Sequence, residues 1–270
     1  MNREFREYTV PVKNEPPPRK KIALSTQLQR ALALLDADRK AGKRAVQAIL
    51  PTGMTAIDRR LPGGGLVSGG LHEIAGPAST GFLVRLLAGL PGPVLWCVPA
   101  AEGRRLYGPG LVRAGLDPAR LTIAAGPTPK DCLWAAEEGL KSRALAAVVL
   151  EPAAAVTLTA SRRLHLAAEA GGGFGFVLAR ADGQKAALPP SAALTRWRVD
   201  AAPTLDSTET AAWSVRLQRC RGAGLARASA VAAPDGASPG QWRVATGSGG
   251  ALQAVEGSTG DAPDCLSVAA

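Results

Sequence analysis

The eight residues Gly76-Pro77-Ala78-Ser79-Thr80-Gly81-Phe82-Leu83 stand where a phosphate-binding loop belongs, without its reactive groups. A working loop has the form G-x-x-x-x-G-K-[S/T]. Its glycines let backbone amides wrap the phosphates, its lysine reaches the β and γ oxygens, and its hydroxyl ligates Mg²⁺. Here Gly76 and Gly81 keep the spacing, but Phe82 takes the lysine position and Leu83 the hydroxyl position. An apolar pair neither neutralises a triphosphate nor holds a metal. Each lost charge-assisted contact is worth about 1.5–3 kcal/mol, so no nucleotide hydrolysis, catalytic residue or cofactor is expected. A glycine turn at a helix N-terminus keeps a residual attraction for anions. The plainer reading makes Phe82 and Leu83 packing residues on the first turn of that helix.

Basic residues form the second group with chemistry. Arg19, Lys20 and Lys21 follow the helix-resistant run Pro16-Pro17-Pro18. Arg162 and Arg163 are adjacent, so on a helix they point about 100° apart. One is expected to pair with Glu169 or another acidic neighbour and the other to face a partner. The alternating run Trp213–Arg219 sets Arg216 and Arg219 off the apolar Trp213/Val215/Leu217 face, and Arg221 extends this into a basic edge. Such an edge could hold DNA phosphates, meet an acidic partner surface, or prevent sheet-edge aggregation. No aromatic residue is interleaved, so any DNA contact should be independent of base sequence and sensitive to salt.

Alternating elements are needed to position these groups. Short apolar runs suited to buried strands recur at Leu71–Ala75, Val94–Val98, Leu121–Ala124, Ala146–Leu150 and Gly175–Ala179. Helical stretches lie between them at Phe82–Leu87, Asp131–Arg143 and Ala160–Ala170, the last stopped by Gly171-Gly172-Gly173. This order predicts an α/β fold with a mainly parallel sheet covered by helices on both faces. After Pro189-Pro190, the alternating runs Thr195–Val199 and Trp213–Arg219, with Gln241–Ala245, predict a β meander at the sheet edge.

Three regions follow. Residues 1–50 form a basic flexible arm with an amphipathic helix from Ser25 to Lys40, whose Leu28, Leu32 and Leu35 share one face that packs on its own core or docks a partner. Residues 51–245 form the core domain, and the Gly/Ala/Ser/Asp-rich residues 246–270 are expected to be a disordered tail. The net charge is +10, and residues 1–50 hold eleven Lys or Arg against five Asp or Glu. That balance favours anionic partners. The scattered Cys97, Cys132, Cys220 and Cys265 suit free thiols, and with His72 and His165 as the two histidines a metal site is not expected. With no long apolar run and no signal-like start, a soluble cytoplasmic protein is expected.

The segments framing the loop narrow the reading. Thr52-Gly53-Met54-Thr55-Ala56-Ile57-Asp58, Leu61-Pro62-Gly63-Gly64-Gly65-Leu66 and Gly70-Leu71-His72-Glu73-Ile74-Ala75-Gly76 resemble the lead-in to the phosphate loop of RecA-type recombinases. Tyr107-Gly108-Pro109-Gly110-Leu111, Ala114-Gly115-Leu116-Asp117-Pro118, Leu133–Glu138 and Ala146–Glu151 resemble the ImuA family of bacterial inducible-mutagenesis proteins. The more diagnostic stretches are Thr159–Glu169 and Trp213–Gly222, and the ordered set covers roughly residues 50–225.

The resemblance implies a RecA-like, P-loop NTPase-type core without recombinase activity, serving damage-induced SOS mutagenesis by translesion synthesis. The partners it implies are an ImuB-like Y-family polymerase homologue, an error-prone C-family polymerase and RecA, with action at the nucleoid during DNA damage. It also assigns relic roles. Glu151 stands where a Walker B acid would help hold Mg²⁺, and Glu102 where RecA-type enzymes place the glutamate that activates water. The alternatives are an active DNA-dependent ATPase of RecA or circadian-clock type, with a cation from Arg85 or a neighbouring subunit, and a SulA-like cell-division inhibitor.

Overall fold

The computed structural model describes residues 48–100, 106–179, 189–205, 209–221, 240–247 and 252–256. The basic arm with Arg19, Lys20 and Lys21, the helix carrying Leu28, Leu32 and Leu35, and the relic position Glu102 lie outside them.

The chain enters through a small antiparallel pair, β1 (Ile49–Leu50) and β2 (Leu66–Val67), bracketing the short helix α1 (Thr55–Asp58). The Asp58 carboxylate accepts from both the amide and the hydroxyl of Thr52 at 2.8 Å, which closes this lead-in. An α/β core follows: β3 (Gly70–Ala75), α2 (Ser79–Ala88), β4 (Val94–Pro99), α3 (Gly108–Arg113), β5 (Leu121–Gly126), α4 (Pro129–Lys141), β6 (Ala147–Leu150), α5 (Leu158–Gly171) and β7 (Phe174–Ala179). Local signals set the helix ends. Thr128 and Asp131 form a capping box at the start of α4, and Gly172 closes α5 in a left-handed conformation. The last strands are β8 (Thr195–Ala201), β9 (Glu209–Cys220), β10 (Gly240–Gly247) and β11 (Leu252–Glu256).

One nine-stranded sheet has the order β11-β10-β9-β8-β3-β7-β6-β4-β5. The strands from β8 to β5 run parallel, and β9, β10 and β11 extend the β8 edge as an antiparallel meander. The mainly parallel sheet is therefore as expected from the alternation. The final strand is not. Leu252–Glu256 lies inside the stretch expected to be a disordered tail, yet it pairs with β10 from Trp242↔Glu256 to Thr246↔Leu252. Backbone hydrogen bonding to an existing edge orders a segment whose composition could not build a core.

Two apolar layers sandwich the sheet. On one face, α1 and α2 pack with Ile74, Trp96, Val149, Phe176, Trp197, Val215, Leu217 and Trp242. On the other, α4 and α5 pack with Leu71, Leu95, Val148, Leu150 and Val177. No helix among the described residues is long and apolar enough to cross a membrane.

Candidate functional site

β3 delivers the chain to the loop position, and Gly76 turns it with φ 106°. A Cβ at Gly76 would lie 2.2 Å from the Val199 carbonyl oxygen of β8, so both the conformation and the close approach require glycine. The Ala78 amide donates to that same oxygen at 3.2 Å, and the Ser79 amide donates to Gly76 O at 3.2 Å. Helix α2 then starts at Ser79, and the Phe82 amide already donates to Ala78 O at 3.1 Å. A phosphate nest needs successive free amides around an open concavity. Here the Ala78 amide goes to the β8 edge, and the Ser79 and Phe82 amides are taken within a turn that leads straight into a helix beginning three residues before Phe82.

Gly81 sits within α2 rather than bounding a turn, and a Cβ there would meet Trp213 at 3.7 Å, an ordinary contact. The expected glycine-bounded turn therefore reduces to Gly76 alone. Phe82 and Leu83 are 1% and 0% exposed and belong to the apolar layer under the sheet. Trp213 of β9 stands edge-on to Phe82, with ring centroids 6.2 Å apart at 82°. Arg85, the candidate substitute cation, lies a turn further along α2 and is partly buried.

Glu151 follows β6 and is buried. Its amide donates to Cys97 O at 2.9 Å, and the Trp96 indole N–H donates to its Oε2 at 3.3 Å. The Glu151 carboxylate is thus tied to the neighbouring strand. His72 is a second buried polar group with a structural environment. Its Nε2–H donates to Val67 O at 2.9 Å, which leaves Nδ1 to accept from the Thr195 hydroxyl at 2.8 Å, and Thr195 in turn accepts from the Trp197 indole at 2.7 Å. Burial pushes the His72 pKa down to about 4, against a smaller upward pull from the Val67 carbonyl. Cys97 and Cys132 are buried free thiols and Cys220 is half-buried; burial raises the pKa of Cys97 and of Cys220.

The arginines divide. Arg163 on α5 pairs with Glu137 of α4, rather than with Glu169 of its own helix, while Arg162 is exposed. Arg216 and Arg219 share the sheet face opposite Trp213, for a reason hidden from simple alternation. Between the pairs Trp197↔Leu217 and Arg196↔Arg219 the β8–β9 register slips by one residue at Gln218. This bulge, and not the alternation expected for the run, brings Arg219 to the Arg216 side; alternation alone gives Arg219 the parity of Trp213. Arg219 donates to Ser191 O at 2.6 Å, Arg221 donates to the same carbonyl at 3.4 Å, and Arg216 donates to the Gln241 side-chain oxygen at 2.9 Å.

The structure adds Arg196, Arg198, Arg243 and Glu73 to this face. The alternation of Thr195-Arg196-Trp197-Arg198-Val199 already carried the first two. The buried ion pair of Arg196 with Glu73, at 3.0 Å, depends on β3 lying beside β8, which the sequence does not announce.

A parallel sheet entered through a glycine turn at Gly76 and extended by an antiparallel meander defines a RecA-like fold. The solved structure of the RadB recombinase matches this fold over its full length and 77% of this chain, with TM-score 0.51 and 19% identity. The chain belongs to the ImuA family. It is 36% identical over 206 residues to Protein ImuA of Caulobacter vibrioides, in strain NA1000 / CB15N and in strain ATCC 19089 / CIP 103742 / CB 15, covering 68% of this chain and 83% of that protein. No family model matches the chain.

Proposed function

We propose that this protein is a non-hydrolysing, RecA-like accessory protein of a damage-induced, error-prone translesion synthesis complex. In this reading it acts as an adaptor joining an ImuB-like Y-family polymerase homologue, an error-prone C-family polymerase and RecA, in the cytoplasm and at the nucleoid during DNA damage. The observation that carries it is the filled loop position. Phe82 and Leu83 lie in the core, their helix starts at Ser79, and Glu151 is bonded to Trp96. A scaffold whose catalytic position is packed shut serves through its surfaces, and membership of the ImuA family supplies the setting.

Two measurements test the two halves separately. Pull-down of the full chain with the purified ImuB-like homologue should show association at micromolar concentration, and its absence would overturn the adaptor role. Millimolar ATP with Mg²⁺ should leave the melting temperature unchanged, and single-stranded DNA should elicit no phosphate release. A metal-dependent rise in melting temperature, or turnover, would restore the ATPase reading.

A further inference from the structure

The sheet face opposite the filled loop carries an arginine array. β8 supplies Arg196 and Arg198, β9 supplies Arg216 and Arg219, β10 supplies Arg243, and Arg221 follows β9. Arg196 stands directly across from Arg219, and Arg198 directly across from Arg216. Like charges at opposed cross-strand positions destabilise a ladder, and here two such pairs are neighbours. Glu73 pairs with Arg196 at 3.0 Å and Asp200 with Arg198 at 2.9 Å. Arg216, Arg219 and Arg221 instead donate to the neutral oxygens of Gln241 and Ser191. The Nε–H groups of Arg196 and Arg219 are buried with no acceptor among the described residues. Burial, then the guanidiniums of Arg221 and Arg196, lower the Arg219 pKa from its ordinary value. Among the described residues, Arg216, Arg219 and Arg221 thus crowd together with neutral oxygens as their hydrogen-bond acceptors.

An anionic partner would complete this surface, and its texture selects which one. Guanidinium forks match the oxygens of phosphate. Arg219, Arg216, Ser214, Gln241 and Arg243 make this stretch of the face polar, and its neighbours Ala212 and Ala245 add only small side chains. A protein interface needs an apolar or aromatic anchor near its centre, and the tryptophans of these strands, Trp197, Trp213 and Trp242, are in the apolar layer on the other side. The same separation denies bases a stacking platform. We infer that the face presented by the exposed Arg216 and Arg221 and the partly exposed Arg219 and Arg243, over the buried Arg196 and Arg198, binds the phosphodiester backbone of DNA without reading its bases. This goes beyond the accessory role and does not depend on it.

Fluorescence anisotropy of the full chain with mixed-sequence oligonucleotides, single-stranded and duplex, tests the inference across a salt series. Arg216→Gln with Arg221→Gln changes two exposed side chains on the array. Arg59→Gln with Arg113→Gln removes the same charge from exposed positions flanking α1 and on α3, on the other side of the sheet. The first pair should weaken binding about tenfold at low salt and flatten the log–log salt slope for single strands by about 1.4, since each phosphate contact contributes about 0.7. The second pair should leave both nearly unchanged. Arg216→Gln alone, which removes bonds to Gln241, should give about half of the slope change and guards against misfolding of the double variant. Preference between the strand arms identifies the form of DNA held. Absence of binding at low salt, equal losses in both double variants, or displacement by polyglutamate at matched charge would each overturn the inference, the last by assigning the face to an acidic protein.

Discussion

The two faces of the β8–β10 ladder have opposite fates. On one, Trp197, Val199, Trp213, Val215, Leu217, Trp242 and Val244 join the apolar layer that holds Phe82 and Leu83, and Trp213 stands edge-on to Phe82. On the other, Arg196, Arg198, Arg216, Arg219 and Arg243 carry charge at the intervening positions. Each strand contributes to both, because successive side chains alternate across a sheet. The same strands that pack apolar side chains under the loop position therefore carry arginines on their opposite face.

Reinstating the loop residues should strain this contrast most. Phe82→Lys with Leu83→Thr removes a buried ring and puts an ammonium under Trp213, which should cost about 5 kcal/mol or more. Urea denaturation should show a severely destabilised or unfolded variant with no gain in ATP binding. A folded variant that binds ATP would mean that the position is open and that Trp213 moves aside.

On the polar face, Glu73→Ala leaves the Arg196 guanidinium buried without its carboxylate. A loss of about 3 kcal/mol is expected, with Arg196→Met/Glu73→Leu recovering much of it. If Glu73→Ala melts like the parent, the charge on this face is adequately solvated and its crowding exerts no strain.

His72 places a polar ring on the apolar side, beside Phe176, where it must stay neutral. Its folded pKa, about 4, lies below the ordinary 6.5. Its contribution is therefore complete above pH 6.5 and is lost as pH falls from 6.5 through about 4. The full span amounts to roughly 3 kcal/mol. Comparing the pH dependence of stability for the parent and for His72→Gln isolates this share. Parallel curves would show that the ring is solvated.

The smallest effect separates the two loop glycines and has the opposite sign. Gly81→Ala meets open van der Waals contact with Trp213 inside a helix, so it should stabilise by about 0.5–1 kcal/mol. A functioning phosphate loop would not tolerate that change. Calorimetry that found Gly81→Ala destabilising would reinstate a turn at Gly81.

Much of the fold was legible because its signals are local. The apolar runs at Leu71–Ala75 and Val94–Val98 became β3 and β4 with one residue added at one end of each, and Thr128/Asp131 set the start of α4. Helix α2 was harder to delimit. The sequence pattern begins at Phe82, but the helix begins at Ser79, since the Ala78 amide bonds to β8 and the Ser79 and Phe82 amides bond back to Gly76 and Ala78. Leu252–Glu256 was also illegible, because its order comes from pairing with β10.

The chain's own chemistry was enough to say that the loop position lacks a lysine and a hydroxyl, that α/β alternation precedes a β meander, and that arginines concentrate near the end of the core. Those properties reside in residue type and short-range period. Assembly of the chain decided the rest. Val199 closes on Gly76, Trp213 covers Phe82, and a one-residue slip at Gln218 turns Arg219 towards Arg196. Each of these contacts joins residues more than twenty positions apart, or depends on a neighbouring strand's register, and no local pattern encodes either.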